Sequence, residues 1–95
     1  PTDLTATSLG ACMMTIMGIV ARRRDLKLEG ATAHVEKGMV ADPDRRIGKL
    51  AVDFRMPAGL SAEDRKILER SALTCPVHKS LRKEIEIPVR FTYPD

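Results

Sequence analysis

Apolar positions recur at helical spacing through the first quarter of the chain. Leu9, Cys12, Met13, Ile16, Met17 and Val20 follow the i, i+3, i+4, i+7 pattern, and Ala11, Met14 and Ile19 fill the other sides. The spacing predicts a helix from Pro1 to about Arg24 that is apolar nearly all round. Such a helix is buried on most sides. Pro1 with Thr2 or Asp3 suits its start, Asp3 being an acid near the positive end of the helix dipole. Arg22, Arg23 and Arg24 complement the opposite end.

The period then changes. Ala31 to Val40 is strand-like, and Lys49 to Pro57 alternates, with Leu50, Val52, Phe54 and Met56 on one face. Between them Ala41 to Gly48 carries Pro, Gly and charges, which predicts an antiparallel hairpin with a polar loop. Ser61, with Asp64 three residues on, predicts a helix start, and Ile67, Leu68, Ala72 and Leu73 form its apolar side. Pro76 interrupts that helix, and a fresh one starts with Cys75 at the N-cap and Pro76 at N1. Ile85, Ile87, Val89, Phe91 and Tyr93 alternate with polar residues as a half-buried final strand, and Pro88 marks it as edge or irregular. The order predicts an α+β fold in one domain, 1–95. Three strands are scant cover for an all-round apolar helix. The expectation is therefore further cover, from an N-terminal segment, a partner subunit, or both.

Composition narrows the class. The 95 residues suit one domain. Aromatics are only 3%, so the core must be aliphatic and rich in Met. The net charge of +3 names no partner. The basic stretches Arg22 to Lys27 and Asp44 to Arg46 lack interleaved aromatics, so helix-end charge explains them better than nucleic acid. The apolar run Gly10 to Ala21 is too short to span a bilayer and runs into three arginines, so no membrane partner is expected. Two cysteines without a secretory signal predict reduced thiols, as in a cytoplasm. No phosphate loop or serine elbow appears, and no cofactor is expected.

The chemistry rests on Cys12 and Cys75. Taken alone, Cys12 is a small hydrophobe in mid-helix with a raised pKa. Cys75 at a helix start faces unpaired N–H groups that favour a thiolate, and a protonated His78 one turn on would add to this. Cys12, His34, Cys75 and His78 number four, as zinc requires, but only Cys75 and His78 have local spacing, so no metal is expected. Buried thiols, a structural disulfide, a metal site and a redox pair all fit the residues alone.

Two motifs bear on that choice. Pro1 to Cys12 (PTDLTATSLGAC) resembles the Pro-x-acid-Leu…Leu-Gly-x-Cys helix of the OsmC-like family of osmotically inducible and organic-hydroperoxide-resistance proteins. Cys75 to Leu81 (CPVHKSL) resembles that family's Cys-Pro-Val-x-x-x-Leu, and the similarity extends over essentially the whole chain. The resemblance implies an intertwined homodimer with long central helices between sheets, and a chain lacking the family's N-terminal strands. It implies Cys12 as peroxidatic and Cys75 as resolving cysteine, a small apolar hydroperoxide as substrate and a dithiol as reductant. Asp3 stands one place later than the acid of the hydroperoxide-reductase branch, where this chain has Thr2. The activating arginine is expected in the N-terminal part, outside this chain. That departure keeps an alternative open: an OsmC-like redox sensor or apolar-ligand binder without turnover.

Overall fold

The apolar stripe of the first segment folds as α1, Thr2–Arg23, and the computed structural model of the chain describes residues 1–94. Ala6, Leu9, Gly10, Met13, Met17 and Ala21 form its buried stripe. The other side is uncovered in this single chain: Leu4 is 74% and Ile19 44% exposed. At 22 residues α1 is long and apolar enough to cross a bilayer by composition, which the run from Gly10 alone is not. Core helices of soluble proteins pass the same test, and here Leu9, Met13 and Met17 are fully buried in the domain core. The helix closes with Asp25 in the left-handed region at φ 57°, while Leu26 N–H reaches back to Ala21 O at 2.7 Å.

Strand β1, Thr32–Val40, pairs antiparallel with β2, Arg46–Arg55. Gly10 lets α1 approach β1 closely, since a Cβ there would lie 2.9 Å from Val35 Cγ2. The inward face of β2 is the predicted one: Leu50, Val52 and Phe54, followed by Met56, are all buried. The loop is shorter than expected, because β2 begins at Arg46 and not after Gly48. A register shift between Gly38 and Met39 brings Met39 opposite Ile47 and Val40 opposite Arg46. Gly48 is thus a strand residue. Val40 Cγ1 lies 2.5 Å from where its Cβ would stand, so the site requires the missing side chain.

Helix α2, Ala62–Ala72, starts as predicted: Ser61 is the N-cap, and its hydroxyl accepts from Asp64 N–H at 3.1 Å. Ser61→Ala should cost about 1 kcal/mol of stability, measured as a lowered urea midpoint. Helix α3, Pro76–Ser80, follows, and then β3, Val89–Thr92. The last strand is shorter than its alternation predicted. Ile85 and Ile87 are half-buried as the pattern requires, yet upstream of β3 only Glu86 bridges to the sheet, opposite Lys49. Pro88 has no N–H to give, although its carbonyl accepts from Val52 N–H at 2.9 Å. β3 runs parallel to β2 at the edge of a sheet ordered β1-β2-β3. Phe91 stacks on Phe54, ring centroids 5.1 Å apart. The Tyr93 hydroxyl donates to Glu69 Oε2 at 2.6 Å under the Arg65 guanidinium, tying the end of the sheet to α2.

Candidate functional site

The break between α2 and α3 positions one of the two cysteines. Leu73 and Thr74 N–H groups close the end of α2 onto Arg70 O and Ser71 O. Pro76 then forces Cys75 into extended backbone, φ −64° and ψ 142°. From there the Cys75 side chain turns inward and caps α3, with Sγ accepting from His78 N–H at 3.2 Å. The main chain of His78 makes this contact; its imidazole contributes nothing to it. α3 packs on α1, and Cys75 ends fully buried in the core.

Cys12 reaches the same place from the other side. It sits at the margin of the buried stripe of α1, between Leu9 and Met13 on one side and exposed Ser8 and Thr15 on the other. It is half-buried and packs against the core cluster that holds Cys75. Its thiol is close enough to Cys75 to hydrogen-bond with it. Both cysteines are free thiols.

The electrostatics of Cys75 differ from the expectation of a helix-activated thiolate. Burial pushes its thiol above the ordinary 9.0, and the hydrogen bond and charge of Cys12 push the same way. The His78 and Val77 N–H groups pull downward but lose. A five-residue helix supplies few aligned dipoles, and the core keeps out the water that would solvate the charge. Alkylation of the native, reduced protein should therefore modify Cys12 well before Cys75, with the difference lost in urea; peptide mapping at short times checks this.

The same burial has a consequence at high pH. The Cys75 thiol and the Tyr93 phenol are both raised above their ordinary 9.0 and 10.0, each chiefly by burial. Above about pH 9 the unfolded chain releases protons that the folded chain still holds. The stabilisation is complete below that pH and lost as pH rises, so urea midpoints should fall from neutral pH to about pH 10.

Asp3 lies apart from the thiols. It is nine residues before Cys12, about 13 Å along the helix axis. Its carboxylate pairs with Lys37 Nζ at 2.8 Å, and Lys37 also donates to Thr2 Oγ1 at 2.6 Å. That hydrogen bond first, and the lysine charge second, hold the Asp3 carboxyl below its usual range. Lys37 is the residue missed in the sequence. Strand alternation puts it on the same face as Val35, turned toward α1, and that was the available signal. Between α1 and β1 lies an open cavity of about 650 Å³, lined by Ala6, Gly10, Met14, Ala33, Val35 and Lys37 among others. It opens roughly half a turn around α1 from Cys12, so it is not the thiols' own surroundings. His34 lies on an exposed part of β1 beside Glu36, away from both cysteines. Among the described residues, no group of three or more His, Cys, Asp and Glu side chains is placed to hold a metal ion.

A family model described as OsmC-like protein matches residues 1–90. A crystal structure from Psychrobacter arcticus, of a protein provisionally described as an osmotic stress induced and detoxification response protein, is 43% identical with a TM-score of 0.90. The match covers 97% of this chain and spans 66% of that one. An organic hydroperoxide resistance protein OsmC from Legionella pneumophila shares the fold at 23% identity and TM-score 0.73, over 97% of this chain and 68% of its own. OhrB of Bacillus subtilis, an organic hydroperoxide resistance protein, shares it at 19% and 0.77, over 97% and 69%. No curated protein matches by sequence.

Proposed function

The chain belongs to the OsmC-like family, and from that premise we propose that it reduces organic hydroperoxides with the thiols of Cys12 and Cys75. The observation that supports the reading best is the pairing of an accessible thiol with an inaccessible one. Cys12 is half-buried, Cys75 is fully buried, and the two adjoin.

In this reading the Cys12 thiolate attacks the outer oxygen of the hydroperoxide. An S–O bond forms, the O–O bond breaks, and the alkoxide takes a proton to leave as the alcohol. Cys12 becomes a sulfenic acid, oxidised by two electrons. Cys75 then attacks the sulfenic sulfur. Its proton leaves with the hydroxyl as water, and a Cys12–Cys75 disulfide remains. A dithiol restores both thiols. Burial suits Cys75 to the second role, because a protonated, enclosed thiol does not meet peroxide itself and carries the proton that the departing hydroxyl needs. The neighbours of Cys12 on α1 are uncharged from Leu4 to Ala21, which favours an apolar peroxide over hydrogen peroxide. The chain works as a homodimer in this reading, a second copy covering the exposed side of α1 around Leu4 and Ile19.

The test is turnover with a dithiol reductant, comparing cumene or t-butyl hydroperoxide with hydrogen peroxide. Preferential consumption of the organic peroxides supports the reading. Binding of an apolar ligand with no consumption of any peroxide would select the alternative of a non-catalytic OsmC-like protein.

A further inference from the structure

The disulfide of the proposed cycle must be reduced before a second turnover, and its two sulfurs are not equivalent in the fold. We propose that the reducing dithiol attacks Sγ of Cys12, so that Cys75 is the thiol that leaves. This rests on Cys12 and Cys75 being the redox pair argued above. The electron pair of the incoming thiolate forms a bond to Cys12 Sγ. The Cys12–Cys75 bond breaks, and its electrons leave with Cys75, which takes up a proton. The reductant's second thiolate then attacks its own first sulfur and releases Cys12. The dithiol is oxidised by two electrons to its disulfide, and the protein gains two thiols.

Access decides the choice. Thiol–disulfide exchange needs the nucleophile in line with the bond that breaks, on the far side of the attacked sulfur. For Cys75 the far side from Cys12 is core, since Cys75 is 0% exposed and belongs to the cluster with Leu68 and Ala72. For Cys12 the approach lies along the outer side of α1. Ser8 and Thr15, four residues before and three after it, flank it there and are exposed.

Leaving-group chemistry acts against this direction. Burial holds the Cys75 thiol up, and a thiol of higher pKa leaves more slowly. That effect only scales a rate. A fully enclosed sulfur admits no in-line nucleophile unless α3 first opens. The His78 N–H, 3.2 Å from Cys75 Sγ, and the N–H of Val77 also soften the penalty by donating to the departing sulfur. The cap of α3 thus serves the reduction step, receiving negative charge as the disulfide opens.

The test uses the full chain, oxidised with diamide to join the two sulfurs. The oxidised protein is mixed with β-mercaptoethanol, a monothiol that cannot complete the second exchange. It is quenched at short times with N-ethylmaleimide and mapped by peptide mass. The expected product carries mercaptoethanol on Cys12 and maleimide on Cys75, in about tenfold excess over the reverse. Mercaptoethanol on Cys75, alone or in equal yield, overturns the proposal, as does failure of diamide to link the pair. Because diamide supplies the oxidation, a protein without peroxide turnover still gives a readable result, which separates this inference from the peroxidase reading.

Discussion

Cys12→Ser should abolish consumption of organic hydroperoxide, by at least about three orders of magnitude and down to the rate of the free dithiol, because the hydroxyl cannot supply a comparable nucleophile. Cys75→Ser should behave differently. Cys12 still completes its first attack, so one equivalent of peroxide is consumed at near the normal rate. The sulfenic acid then has no partner and proceeds to sulfinic acid under excess peroxide. Steady-state turnover is lost while the first turnover survives. The Cys75 variant is a fair test because serine is a favoured N-cap, and its hydroxyl accepts from His78 N–H where the thiol did. Stopped-flow consumption of cumene hydroperoxide by both variants, with circular dichroism as the check on folding, distinguishes the roles. Equal loss of the first turnover in both would remove the distinction between attacking and resolving thiol.

The largest expected effect on stability is at Phe54. Phe54 is fully buried in mid-β2 and stacks on Phe91 with an interplanar angle of 14°. Phe54→Ala should cost about 3–5 kcal/mol through lost burial and the cavity left behind. A domain of this size has roughly 5–15 kcal/mol in total, so the variant should be close to unfolding at 37 °C. At about 4–8 °C per kcal/mol, the melting temperature should fall by more than about 12 °C. Thermal melts followed by circular dichroism check this. The core has few aromatics to share the loss, since the whole chain has only two phenylalanines and one tyrosine. A drop of only a few degrees would show that Phe54 is not a keystone of the sheet.

Much of this architecture was legible in residue patterns. The alternation of Leu50, Val52, Phe54 and Met56 identified the buried face of β2, because a half-buried strand leaves one unambiguous signal. Ser61 and Cys75–Pro76 marked two helix starts, because caps act through main-chain donors a few residues away. The limits of β2 were hidden by Arg45, Arg46 and Gly48, which look like loop until Val40 is seen crowding Gly48. The parallel course of β3 is a property of chain return, and no local pattern encodes it. The candidate site was found in part. Its two cysteines came from their motifs, but their relative exposure did not. A helix start argues for an activated thiol only when water and field both reach it, and α3 turns Cys75 into the core. Likewise, the apolar surroundings of Cys12 pointed to burial, whereas one step around α1 leaves it at the margin. Asp3 was recognised as an acid at a helix start, but its partner Lys37 lies 34 residues on, across a tertiary contact that spacing does not reveal.

The central claim is that Cys12 and Cys75 form one redox unit, and its most direct test is the mass of the intact protein after one equivalent of cumene hydroperoxide without reductant. The account predicts the loss of two hydrogen masses, with Cys12 and Cys75 recovered in a single linked peptide. Oxygen added to Cys12 with Cys75 still free, or no change in mass, would contradict it.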